Sequence, residues 1–427
     1  MTENFEHKGL WFLPTDTATK VAGTIKFEIK KGLTLDLIGS FPRKGKTMEL
    51  IWGILENGEF VTLYNNFEIY RSLNLLGLKI AKYKSNFLLI GAHFTSKRDI
   101  SFNKISVHYS HLDEWLNIDS GFKKIETNTK DYKISIEYEL PQPIDVQLNT
   151  ETKLTVNLVA TSPSTNTVQK DVVIRQKAFI DFKYKRKATF DKVLEDTFHF
   201  QNFLTLSLQR PAFHKEVFGQ MTIKGTNGLH KIQIFFQVNH LPEIEKELHP
   251  IDILIHYKRI APKFATVIKS WYDKKSSLET AADPFFSTYY NPYLYTTDKF
   301  LNLARSIEAF HRDTVGIIDP STRKEYYFKK RAIEVYDMFS RQFNSTLKIA
   351  NKTKFIDTIK NYRNDYTHSN PILKSKDKRY LELHYLSEKI QIIMTCALLH
   401  EHNLTKKEIK ESIDNTRLYT HLRHKLR

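Results

Sequence analysis

Glycine divides this chain of 427 residues in two. Glycines recur from Gly9 to Gly228, and beyond that point the sequence holds Gly316 alone. Tight reversals between strands draw on residues that tolerate positive φ, glycine foremost among them. The scarcity of glycine after Gly228 is read as a shift in composition, with helices joined by short connections expected beyond it. The hydrophobic period changes in the same region, from two to 3.6. These features predict an α+β multidomain protein, with a β-rich, sandwich-like N-terminal two thirds followed by an all-α helical bundle. The expected divisions are a first β-rich domain over 1–122, a second over 123–240, a transition over 241–261 and a helical domain over 262–427.

In the front part, residues 24–29 and 33–37 alternate apolar with polar, and Gly23, Gly32, Gly39, Gly45, Gly53 and Gly58 read as turn positions. Period-two runs recur over 131–140, 152–159, 178–184 and 231–238, around a polar loop near 161–166 and a helical patch near 190–206. Trp11, Trp52 and Trp115 read as core residues in preference to the lining of a ligand groove. In the rear part, helices are expected over 262–277, 291–314, 324–344, 352–366, 379–402 and 406–423. Within 352–366 the buried stripe is Phe355, Ile356, Ile359, Tyr362 and Tyr366, with Arg363 on its flank.

The formal net charge is +17, and the helical part carries the larger share of it. Such a surface attracts polyanions, and clusters such as Lys329-Lys330-Arg331, 374–379 and 421–427 suit a nucleic acid backbone. No membrane partner is expected: the N-terminus lacks the basic-then-apolar text of a signal peptide, and no run approaches the ~18 apolar residues of a spanning helix. The lone Cys396 lies in an apolar run, so neither a disulfide nor a nucleophile is expected of it, and a reducing cytoplasm is the expected location. No cofactor or metal is expected either. Metal-binding His and Cys spacings and a Gly-rich phosphate loop are missing, His400 and His402 point about 200° apart on a helix, and His108 and His111 form a weak pair.

One short stretch combines a base, a fixed cation and a chain break: Tyr362-Arg363-Asn364-Asp365-Tyr366-Thr367-His368, followed by Ser369-Asn370-Pro371. Cleavage of RNA by its own 2′-OH needs a proton acceptor near neutral pH, which His368 supplies. It also needs a charge that holds the phosphorane oxygens, which suits the forked guanidinium of Arg363. Five positions at about 100° each set the two residues roughly 140° apart on a continuous helix. Either His368 swings back where the proline ends the helix, or the working pair comes from two chains of a homodimer. Arg305 with His311 and Arg417 with His424 satisfy the same spacing, the first as part of a charge ladder with Glu308 and Arg312.

From about residue 262 onward the chain resembles HEPN domains, whose ribonuclease signature is Arg-x4-6-His, commonly with a polar residue after the Arg, as Asn364 stands here. The block Gly9-Leu10-Trp11-Phe12-Leu13-Pro14 with the strand 23–27, and the helix 300–312, resemble the ApeA family of bacterial anti-phage proteins. The resemblance implies catalysis by Arg363 and His368 with support from Asn364, an RNA substrate such as tRNA or another host RNA, and arrest of the infected cell. It leaves the β-rich part to restrain the nuclease or to sense a phage-derived trigger. Two other readings compete, the first on the residues and the second on the resemblance, since some HEPN domains bind without cutting. One is a non-catalytic β-sandwich ligand-binding protein with a helical dimerisation domain, and the other a helical domain that binds nucleotides without cutting.

Overall fold

The computed structural model describes residues 3–42, 45–72, 77–118, 121–161, 173–222, 228–238, 247–368 and 376–425. Most of the polar loop expected over 161–166, the start of the expected transition near Pro242 and the chain break at Ser369-Asn370-Pro371 lie outside these residues. The chain forms two compact units. One comprises Met1–Asp113, Ile118–Gln201 and Ala212–Lys246, and the other Glu114–Asn117, Asn202–Pro211 and Glu247–Arg427.

The front unit is strand-rich, as its alternating text predicts. Strands β1 (Phe5–Leu13), β2 (Asp16–Glu28), β3 (Gly32–Ile38), β4 (Thr47–Leu55), β5 (Phe60–Arg71) and β6 (Ile80–Ile90) pair antiparallel in the order β6-β3-β2-β1-β4-β5, and β5 pairs with β6 to close a barrel. The indole of Trp11, fully buried, sits inside it. Two of the glycines read as turn formers have another use. Gly23 and Gly53 lie within β2 and β4, where a Cβ would stand 3.1 Å and 2.5 Å from Trp11 ring carbons. They are the notch that receives the indole, whereas Gly32, Gly39 and Gly58 do occupy positive-φ positions. Trp115 is likewise buried, and Trp52 stacks on His93 and donates to Phe94 O at 2.7 Å.

The sheet does not end with the barrel. It continues through β7 (Ser101–Tyr109) and, after the short α1 (Leu112–Leu116), through strands from later in the chain. A detached ribbon of β8 (Phe122–Asn128) and β9 (Lys133–Tyr138) comes first. Then follow β10 (Ile144–Gln147), β11 (Thr152–Ala160), β12 (Gln176–Thr189), the helix α2 (Phe190–Leu208), β13 (His214–Thr222) and β14 (Leu229–Phe236). Their order is β10-β11-β12-β7-β13-β14-β6, so strands from either side of residue 122 share one sheet. The strand β6 serves both parts: residues 80–85 pair with β3 and residues 87–90 with β14.

The rear unit is helical, again as the 3.6 period predicts. Its elements are α3 (Tyr257–Ile260), α4 (Phe264–Asp273), α5 (Lys275–Tyr290), α6 (Thr296–Thr314), α7 (Phe328–Leu347), α8 (Lys352–Thr367), α9 (Lys376–Glu401), α10 (Lys406–Asn415) and α11 (Thr420–Lys425). The helix expected over 262–277 breaks at Lys274, and α5 continues to Tyr290 through an internal Pro284 that argues against a helix in sequence alone. The central element is α9, buried on every side from Ile392 to Leu399. Cys396 is within that run, and burial pushes its thiol pKa up, as suits an inert core residue.

Candidate active site

The helix α8 begins at the N-cap Asn351, whose side chain accepts from Lys354 N at 2.9 Å. It lies antiparallel to α7, tied by Lys329–Asp357 at 2.6 Å and Lys352–Asp337 at 3.0 Å. The Lys329 ammonium holds the Asp357 carboxyl below its ordinary pKa. Of the expected stripe, Ile356, Ile359 and Tyr362 are buried, while Phe355 and Tyr366 lie at its margins. Tyr362 packs edge-on to Phe300 of α6 and donates its hydroxyl to Glu382 of α9 at 2.6 Å. That anchor sets the rotation of α8 and turns the next residue, Arg363, towards α6.

Arg363 is held there on two sides. Its Nη2 donates to Glu308 Oε2 of α6 at 3.0 Å, and the guanidinium lies over the Phe328 ring at the start of α7, 5.2 Å from the centroid. Its Nη1 also reaches Asn364 Oδ1 at 3.4 Å. His368 is exposed, and its backbone N–H still donates to Asn364 O at 2.9 Å. The α-helical hydrogen-bond pattern thus persists to the histidine, and the roughly 140° between Arg363 and His368 holds on the helix as folded. Their side chains leave different faces, one inward onto Glu308 and one outward to solvent.

The two other Arg-x-His spacings have different fates. His311 is fully buried, bonded through Nε2 to Glu334 at 2.8 Å and through Nδ1 to Arg331 at 3.3 Å, so it is a core histidine. Arg417 is forked onto Asp252 at 2.8 and 2.6 Å, and the His424 side chain lies outside the described residues. The expected Arg305, Glu308, Arg312 ladder does not form as a unit. Glu308 pairs with Arg363 and Arg312 with Asp313. Sequence reasoning missed the part played by Glu308 and Phe328, because no local period reports contacts 55 and 35 residues away.

The basic cluster 329–331 is also spent within the fold. Lys329 pairs with Asp357, Lys330 with Asp319, and the buried Arg331 donates to the carbonyls of Gly316 and Tyr326 at 3.1 and 3.2 Å. Lys330, with help from Ser321, holds the Asp319 carboxyl well below the usual carboxylate range. Arg323, Lys324 and Lys378 remain exposed. Among the described residues no group of three His, Cys, Asp or Glu is placed to hold a metal, and no helix is long and apolar enough to cross a membrane. His402, one of the pair weighed as ligands, is buried against Trp271.

A family model described as ApeA N-terminal domain 1 matches residues 6–271, and one described as Apea-like HEPN matches residues 301–408. The second span contains Glu308, Phe328, Arg363, Asn364 and His368. No curated protein and no solved structure gives a significant match.

Proposed function

From the premise that the chain belongs to the ApeA family of anti-phage proteins with a C-terminal HEPN nuclease domain, we propose that it is an endoribonuclease acting through Arg363 and His368. The observation that supports this most is the pre-oriented guanidinium of Arg363, half-buried between Glu308 of α6 and Phe328 of α7, five positions before an exposed imidazole at a helix end. An arginine stacked on a ring and paired with a carboxylate has lost much of its rotamer freedom, so it can meet a phosphate at low entropic cost.

In this reading the imidazole of His368 takes the proton from a ribose 2′-OH, or gives one to the departing 5′-oxygen. The 2′-oxygen attacks the adjacent phosphorus, the bond to the 5′-oxygen breaks, and a 2′,3′-cyclic phosphate remains. Arg363 exchanges Glu308 for the phosphorane oxygens, and Asn364, already 3.4 Å from the guanidinium, steers it. These residues supply a proton acceptor and a fixed charge, so the mechanism has no step that calls for a metal. Arg363 and His368 leave α8 on different faces, which favours a homodimer in which each phosphate is held by Arg363 of one copy and His368 of the other. Exposed Tyr327, Tyr380 and Leu381, neighbours in sequence of the Phe328 and Glu382 that fix α8, offer apolar surface for that pairing. The β-rich unit would restrain the nuclease until a phage-derived trigger engages it.

The test is to incubate purified protein, with and without phage lysate, with total bacterial RNA in excess chelator. His368→Ala runs in parallel, and the RNA ends are mapped. Cuts ending in 2′,3′-cyclic phosphate that vanish in the variant are expected. Intact RNA in every arm would overturn the proposal.

A further inference from the structure

A cleft of about 350 Å³ lies between the segment that leads into the helical unit and α10, lined by His249, Ile253, His256, Arg259, Ser412 and Asn415 among others. It is remote from Arg363. The helix α10 meets the C-terminal end of α7, where Ser345 donates to Asp414 at 2.7 Å, whereas Arg363 covers Phe328 at the other end. The intervening turns of α7 span roughly 25 Å.

Three cationic or imidazole side chains of this cleft keep polar atoms without a partner among the described residues. Arg259 spends Nη1 on Ser412 Oγ at 2.8 Å and Glu408 O at 3.2 Å, and its Nε and Nη2 have no partner among the described residues. The Nδ1 of His256 is buried without a partner. The Nδ1 of His249 accepts from Ile251 N at 3.3 Å, which places the ring proton on Nε2 as a further donor. None of the lining residues is acidic. Nearby Asp252 is already neutralised by the Arg417 fork, and Glu411 only approaches Arg259, to 3.9 Å, from the exposed surface. Pro250, Ile253 and Leu254 supply an apolar wall.

A guanidinium, two imidazoles and an amide around a cleft without carboxylates match a compact multivalent anion. The volume exceeds what a bare phosphate needs and falls at the small end of the range for organic ligands. We propose that this cleft binds a small phosphate monoester, with its phosphoryl oxygens on Arg259, His249 and His256 and its organic part on the Pro250, Ile253 and Leu254 wall. The proposal is independent of the nuclease reading.

Isothermal titration calorimetry of the full chain with glycerol 3-phosphate and with inorganic phosphate tests it. Saturable binding at one site per chain is expected, at least tenfold tighter for the ester. Arg259→Gln and His249→Ala should each weaken it at least threefold, and His368→Ala should leave it unchanged. His249 is exposed, so its variant keeps the test valid if Arg259→Gln fails to fold. No saturable heat with either compound would overturn the proposal. Binding lost in His368→Ala but kept in Arg259→Gln would do the same by assigning the anion to the active site. Equal affinity for the two compounds would refute the ester.

Discussion

The pairing of Arg363 with Glu308 makes a quantitative expectation for Glu308→Gln. At 3.0 Å the bare attraction between unit charges is about 5.5 kcal/mol at an effective dielectric of about 20. The two side chains are 29% and 35% exposed, so solvent and salt screen most of that, and pairs of such exposure are worth about 1 kcal/mol net. On the proposal that Arg363 holds substrate phosphate, Glu308 competes with that phosphate for the guanidinium in the free enzyme. Replacing it by an uncharged amide that still reaches Nη2 should release up to that 1 kcal/mol, a gain of about two- to fivefold in RNA affinity. The assay is equilibrium binding of a short RNA in the His368→Ala background, where no substrate is consumed, at two salt concentrations. The gain should shrink as salt rises, because the competing ion pair is itself screened. In the active background kcat/KM should rise by a similar factor. A loss of tenfold or more in either quantity would refute competition and show that Glu308 serves to hold Arg363 in place. Unchanged binding in Arg363→Ala would remove the guanidinium from the site altogether.

Other expectations concern stability. Gly53→Ala would set a methyl 2.5 Å from the Trp11 ring and should cost about 1–3 kcal/mol in denaturant unfolding. His214 is wholly buried, with neither ring nitrogen bonded, and burial pushes its pKa down to about 3. The unfolded chain therefore binds a proton that the folded chain refuses. Stability should fall as pH drops from about 6.5 towards 3, by up to about 1.4 kcal/mol per pH unit, and His214→Leu should flatten that slope in urea titrations followed by circular dichroism. Arg331→Ala would leave His311 and the carbonyls of Gly316 and Tyr326 without their donor. It should destabilise the helical unit by about 3 kcal/mol or more, read from its thermal unfolding.

The coarse plan was legible because it rests on local text. Period-two runs became strands, the change of period after Gly228 marked the change to helices, and α6, α7, α8 and α10 follow their apolar stripes, whereas α9 is buried all round over 392–399. Barrel closure was not legible, because it depends on β5 meeting β6 on one side and β3 and β14 sharing the other, pairings that no local pattern encodes. Gly23 and Gly53 misled for the same reason, since their purpose is a tryptophan on another strand. At the candidate site, Arg363 and His368 were singled out by their chemistry and spacing, and the fold places them five positions apart at the end of α8. Glu308 looked like one rung of a surface ladder, and its partner is 55 residues away. Likewise, three consecutive cations at 329–331 read as a patch for polyanions, yet each is engaged within the fold, which only tertiary contacts disclose.

The divided loyalty of β6 bears on how the protein must be made. Its pairing with β3 and β5 uses residues already synthesised, so the barrel can close early on the ribosome. The edge formed by Phe87, Leu88, Leu89 and Ile90 beyond β3 waits for β14, which starts at Leu229. At bacterial elongation rates that delay is on the order of ten seconds. Throughout it the nascent chain carries an apolar strand edge with no partner on one side, the arrangement most open to pairing with a neighbouring chain. Slowed translation between residues 90 and 229 should therefore lower the soluble yield, and a chaperone that shields strand edges should restore it.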